Sequence, residues 1–464
     1  MSATARLRER FAARAEPGPL KALAASGQLG YGIPETALRA GLAREPDFIG
    51  CDMGSIDPGP YYLGAGRMAT SPELTRRDLR LVLRGARDLD VPLLIGSAGT
   101  AGAAPHLAAT VEIIREIARA DGLRFRLATI AADMPRPLVQ TALRDGQLTP
   151  LGAMPTVTAG DIERSDHIVG QMGTEAFRRA LDQAPDVIVA GRACDTAVFA
   201  AVPQMLGCDD AASMHMAKII ECTSICCEPG GRDAMLGTLE GDSFVLESMN
   251  PERHATPMSV AAHALYEQAD PYRVAEPEGV LHLDAARYDA VDAHRCRVTG
   301  ARWEPAARPS VKVEGAARVG ERAVLLCASA DPRFIAGLDE ILPRVETTVR
   351  ELVAGQTGGD FELHTHVYGR DGIGPARGVD APPEVFILVE CIAANGAAAR
   401  MVAGVTKQYL LHHGFPGRLS TGGNLAFPFT PPELAAGAAY RFTLYHVMPV
   451  DDLVSLFPVS VEDL

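Results

Sequence analysis

The strongest constraint on this chain is an alternation in its first 240 residues, where short apolar, β-favouring runs are separated by helix-length amphipathic segments. "DFIGCD" (47–52), "VPLLIGS" (91–97), "FRLATIAAD" (125–133) and "PDVIVAG" (185–191) read as strands. Between them, "SPELTRRDLRLVLRGARDLD" (71–90) has a serine N-cap with an acid two residues further on, and "APHLAATVEIIREIARADG" (104–122) has an early proline and a closing glycine. "RPLVQTALRDG" (136–146), "EAFRRALDQA", "DTAVFAAVPQMLG" and "AASMHMAKIIEC" read as further helices. Strands this short, separated by such helices, form βαβ units and a parallel sheet. The sheet's ligands bind beyond the carboxyl ends of its strands.

Past residue 240 the pattern becomes strand-rich, and from "ERAVLLCASA" onward it reads β-α-β-β-α-β. The expected fold is therefore α/β, with an N-terminal parallel-sheet, Rossmann-like domain and a C-terminal α+β ferredoxin-like sandwich. The expected boundaries are an arm over 1–26, the α/β domain over 27–247 and the sandwich over 248–464. The sandwich is a natural place for copies of the chain to associate into a homo-oligomer.

The strand ends carry the candidate chemistry. The first is followed by "CDMGSIDPGPYYLGAG" (51–66), with Asp52, Ser55, Asp57, Tyr61 and Tyr62. "GSAGTAGAAPH" follows the second; Gly96, Ser97, Gly99, Thr100 and Gly102 can present N–H groups to an anion or a developing enolate. Its spacing is neither G-x-G-x-x-G nor a phosphate-binding P-loop. The third strand leads to Asp133, and the fourth to "GRACD" with Arg192, Cys194 and Asp195. Arg192 there can clamp a carboxylate, while Asp195 equally suits a helix cap. "EPGGRD" adds Arg232. His364 and His366 share one strand face and read as a surface or interface pair.

Charge narrows the partners. With 44 basic and 58 acidic side chains the net charge is −14, which argues against nucleic acid or an anionic membrane surface. No stretch reaches membrane-span length, and the first twenty residues hold no apolar run of signal-peptide length. The nine cysteines, Cys51, Cys194, Cys208, Cys222, Cys226, Cys227, Cys296, Cys327 and Cys391, sit mostly in apolar runs, as reduced buried thiols do. A cytoplasmic location follows as the expectation.

Taken together, "DPGPYYLG", "IGSAGTAG", "AGRACDTAVFA", "AMLGTL", "TPMSVAAHALYEQADPYRVAEPEGVLHLDAARY" and "TGGNLAFPF" resemble the acyclic terpene utilisation (AtuA) family. The resemblance runs from about residue 27 to the C-terminus and matches a compact form without the extra C-terminal small domain of longer members. It implies a catabolic role in terpene or carboxylate degradation and brings no catalytic residue set with it.

The residues themselves suggest a lyase (hydratase or dehydratase) or isomerase acting on a small carboxylic acid or its acyl thioester. The reaction would be proton abstraction next to a carbonyl. Asp52 or Asp57 is the base, Tyr61 or Tyr62 handles the second proton, and Asp195 completes the catalytic group. Ser55 and the 96–102 loop hold the substrate, with Arg192 or Arg232 on its carboxylate. This reading needs no cofactor. A second reading puts a divalent metal on Asp52, Asp57, His106, Asp133 and Asp195, as a metal-dependent hydrolase or lyase. A third is a non-catalytic binding or assembly subunit.

Overall fold

The computed structural model describes residues 1–13, 18–266, 269–374, 382–419 and 422–464. The chain forms two compact units, one of Met1–Ala317 with Phe442–Leu464 and one of Arg318–Arg441.

The larger unit is built on a ten-stranded sheet. Its centre is five mutually parallel strands in the order Leu20–Ser26, Phe48–Asp52, Leu93–Gly96, Val187–Ala190 and Arg126–Ile130. Four of them are the strands expected from the sequence. The fifth, Leu20–Ser26, falls in the stretch expected to be an arm, whose first part is the helix Ala3–Ala12. "LKALAAS" is alanine-rich and lacks the β-branched side chains that mark the other strands. It is nonetheless almost wholly buried, because it lies between two neighbours.

Burial on both faces explains the near-continuous apolar strands. Phe48 and Leu94 enter one core, while Ile49, Leu93 and Ile95 enter the other, all fully buried. The helices Pro72–Leu89 and Ala104–Asp121 cover the second face with Leu79, Val82, Leu83 and Ile114. Asp195–Met205 and Asp210–Ile220 cover the first. Each buried side chain of this size contributes about 1.5–3 kcal/mol. The expected caps form: Ser71 accepts from the Leu74 N–H, and Gly122 closes its helix at φ +66°.

The expected boundary near residue 247 falls inside this unit. The hairpin Met235–Glu240 and Ser243–Ser248 continues the sheet antiparallel from Leu20–Ser26, and Arg295–Thr299 and Arg287–Ala290 extend it further. Leu246, Cys296 and Val298 share the first core, so chain on both sides of 247 buries into one body. At the other edge Val459–Asp463 pairs antiparallel with Arg126–Ile130.

The smaller unit holds the first five of the six elements expected from "ERAVLLCASA" onward, while the sixth, "YRFTLYHVMPV", falls largely in the larger unit. The second half of the strand Ser310–Ser329 is followed by Leu338–Leu352, Glu362–Tyr368, Val385–Ala393, Gly396–His412 and the first half of Glu433–Pro449. Its sheet has Val385–Ala393 between Glu362–Tyr368 and Ser310–Ser329. Val345, Val349, Val402 and Leu410 of the two helices pack on Leu325, Ile387 and Val389. Glu362 accepts from His364 Nε2 at 3.0 Å, and the His366 and Tyr368 rings lie tilted 6.4 Å apart. The glycine-rich segments around 368–375 and 412–431 lie partly outside the described residues. The protein is mixed α/β throughout, and among the described residues no helix is long and apolar enough to cross a membrane.

Candidate active site

Two joined chambers open at the carboxyl edge of the parallel strands. The smaller, of about 200 Å³, includes Ser26, Tyr31, Asp52 and Arg232 in its wall. The larger, of about 680 Å³, includes Cys194, Lys218, Glu221, Glu276 and Lys312. Ser55, Asp57 and Asp195 line both and mark where they meet.

Close packing brings Asp52 and Asp195 to one place. A Cβ on Gly50 would lie 2.3 Å from Phe199, and one on Gly96 would lie 2.5 Å from Val198. Glycine at both positions lets the helix Asp195–Met205 settle directly on the strands. Asp52 ends its strand beneath that helix, with its Oδ1 3.2 Å from the place a Gly96 Cβ would occupy. Its Oδ2 accepts the Gly54 N–H at 2.6 Å, while Oδ1 is buried without a hydrogen-bond partner. Asp195 is the first helical residue, and Cys194 occupies the cap position instead.

The two carboxyls titrate as a pair. Burial first, then the charge of Asp195, hold Asp52 well above the usual carboxylate range, against the Gly54 N–H and Arg192. Burial also raises Asp195, but Arg192, Lys218 and Lys312 all favour its charged form. The pair therefore holds a proton more readily on Asp52 and a negative charge more readily on Asp195. Around them burial pushes Glu221 up to about 8, against the pull of Lys218 2.6 Å away. Glu276, which accepts from the Thr196 hydroxyl at 2.8 Å, is pushed up to about 7.

Arg192 lies in the wall of the larger chamber but is 2% exposed, and its guanidinium is spent on Glu314 at 2.8 Å. Lys312 shares the same carboxylate at 2.9 Å. Arg192 thus holds the strand-end loop in place rather than presenting a free fork to a ligand. Arg232 is exposed on the smaller chamber beside Tyr31. Its neighbour Asp233 turns the other way, to Arg253.

The 96–102 loop, expected as an anion cradle, is buried and lines neither chamber. The N–H groups of Ser97, Ala98, Thr100 and Gly102 already donate to the carbonyls of Gly191, Ala190, Ser97 and Ala98. Its glycines serve close approach: a Cβ on Gly102, at φ +67°, would sit 2.1 Å from the Arg192 nitrogen. Ser97 Oγ bonds Arg192 and the backbone of Ala193. Gly96, Ser97, Gly99, Thr100 and Gly102 therefore build the floor under Arg192 without facing a ligand.

The remaining candidates divide similarly. Ser55 and Asp57 face the cleft, with Ser55 Oγ accepting the Asp57 N–H at 3.2 Å. Tyr61 and Tyr62 stack edge to face 5.3 Å apart and line neither chamber. His106 is buried, with Nε2 3.0 Å from the Tyr62 carbonyl, and Asp133 likewise lies off the cleft. The five residues of the metal reading are thus not brought together. Among the described residues no group of three or more His, Cys, Asp or Glu is arranged to hold a metal ion. Burial pushes the Cys194 thiol up, which is unlike an activated nucleophile.

Sequence reasoning passed over Tyr31, Lys218, Glu221 and Glu276. A signal for two of them exists, because Lys218 and Glu221 stand three apart in the mostly apolar "MHMAKIIEC". Tyr31 gives no such signal. Its loop is shaped by Asp78, a fully buried carboxylate that accepts the N–H groups of Gly30, Gly32 and Ile33 at 2.9–3.0 Å.

The fold and cleft thus define a mixed α/β protein with a coupled, buried carboxyl pair at the carboxyl edge of its sheet. Residues 80–234 and 238–429 match the family model described as acyclic terpene utilisation family protein AtuA, and the chain belongs to that family. That description is consistent with a catabolic role. Comparison with curated proteins and with solved structures gave no match.

Proposed function

We propose that this chain is a catabolic enzyme, a lyase (hydratase or dehydratase) or isomerase that moves a proton next to a carbonyl of a small carboxylic acid or its thioester. The observation that carries this reading is the Asp52–Asp195 pair, whose Asp52 Oδ1 is buried at the cleft without a partner. Two carboxyls whose surroundings separate their proton affinities suit one acid and one base. Asp195, facing Arg192, Lys218 and Lys312, is the base that takes the substrate proton. Asp52 is the acid that returns one to the product or leaving group. Arg232 receives the carboxylate, and Asp57 and Ser55 position the substrate between the chambers. The smaller unit fits a ferredoxin-like sandwich through which copies of this cytoplasmic protein associate; light scattering sizes the assembly.

The test is turnover of small acids and acyl thioesters by the wild type and by Asp52→Asn and Asp195→Asn. Removing a positioned acid or base lowers kcat by about 10²–10⁴-fold. Folded variants that retain wild-type turnover overturn the assignment.

A further inference from the structure

We infer that the ligand of this cleft is a short, hydroxylated acid, polar along its length, bound with its carboxylate on Arg232. The inference rests on the catalytic reading above only for where the reacting carbon lies. It departs from an acyclic terpenoid, the compound class named in the family description, because such a chain is apolar.

Three observations carry it. First, size: the chamber beside Arg232 is about 200 Å³, so the end of the ligand that binds there is small. Second, the walls of both chambers carry many hydrogen-bonding groups. Ser26, Gln28, Ser55, Asp57 and Thr223 offer hydrogen-bonding groups around the smaller one, where Ile225 is the one aliphatic side chain beyond glycine. The larger adds Thr196, Lys218, Glu221 and Glu276, with Val274 and two alanines as its aliphatic side chains. An apolar chain in either would strip water from these groups and return no hydrogen bond. A site built for hydroxyls rejects ligands without them.

Third, the cations are unequally engaged. Arg192 and Lys312 are tied to Glu314, and Lys218 to Glu221; Arg273 is exposed on the larger chamber, apart from the one that holds Asp52. Arg232 has no carboxylate within ion-pair reach among the described residues, and it shares its chamber with Asp52. An anion settling on Arg232 therefore breaks no existing pair. It also places the adjoining carbon and its hydroxyl toward Asp52 and Asp195.

Isothermal titration calorimetry on the full-length protein tests this with malate, tartrate and gluconate against octanoate. The expected result is that at least one hydroxy acid binds about tenfold or more tighter than octanoate. Arg232→Gln, a change at an exposed side chain, then weakens it about tenfold or more. Octanoate binding as tightly as every hydroxy acid overturns the inference. So does no binding by any of the three, or binding indifferent to Arg232→Gln. Turnover of the bound acid, followed separately from its binding, distinguishes the two claims. Hydroxy-acid binding without turnover leaves the ligand class standing and removes the catalytic assignment.

Discussion

Replacing Glu314 by glutamine should unlock the cleft from beneath. Glu314 is fully buried between Arg192 at 2.8 Å and Lys312 at 2.9 Å. Burial alone would raise its pKa, but Arg192 and Lys312 outweigh burial and hold it below the usual value. Glutamine keeps the shape and removes the charge. Arg192, 2% exposed, is then left without its counter-ion. Removing one partner of a buried pair costs about 3–5 kcal/mol, of which the stranded charge is the larger part. Lys312 reaches water more easily and adds little. Denaturant unfolding followed by Trp303, the one tryptophan and part of the larger unit, reports the loss. Arg192→Met combined with Glu314→Leu should cost less than Glu314→Gln alone, because only the partly exposed Lys312 then lacks its counter-ion. The stabilisation from Glu314 is fully present above its unfolded pKa, near 4.3, and is lost as pH falls through the depressed folded value. A single-variant cost below about 1 kcal/mol, or a double variant that costs as much as Glu314→Gln, would refute the reasoning.

Other perturbations read separate parts of the structure. Gly102→Ala should destabilise by about 3 kcal/mol or more in the same unfolding assay, since its Cβ meets the Arg192 backbone at 2.1 Å. Asp78→Ala removes the acceptor of three loop N–H groups; a loss of about 2–4 kcal/mol and faster proteolysis near Tyr31 are expected. Glu221 is raised to about 8 from 4.5, so the fold favours its neutral form. Wild-type stability relative to Glu221→Gln should therefore fall as pH rises from about 4.5 to 8, by at most about 5 kcal/mol. A flat difference across that range would contradict the burial argument.

The parallel core was legible because its strands, buried on both faces, are apolar runs, and its helices carry their own caps. Leu20–Ser26 was not legible, because alanines packed between neighbours carry no strand signature. The domain boundary was missed for a related reason: the antiparallel strands after residue 240 look like a change of fold, yet Leu246 and Val298 enter the same core. In the site, Asp52, Asp57 and Asp195 could be placed because they follow strands, where the sheet directs them to one edge. The 96–102 glycines could not be told from an anion loop in one dimension. Only the approach of Arg192 shows that they serve packing. Glu276 lies far along the chain, in a three-stranded sheet whose pairing no local pattern announces.

The central claim is that Asp52 and Asp195 share a site where both cannot comfortably be charged. Carboxyl ¹³C NMR of aspartate-labelled protein tests it most directly, with Asp52→Asn and Asp195→Asn assigning the signals. Asp52 should keep its proton well above the ordinary carboxylate range, and in Asp195→Asn its titration should move down toward that range. Ordinary titration of both aspartates, each indifferent to loss of the other, would contradict the account.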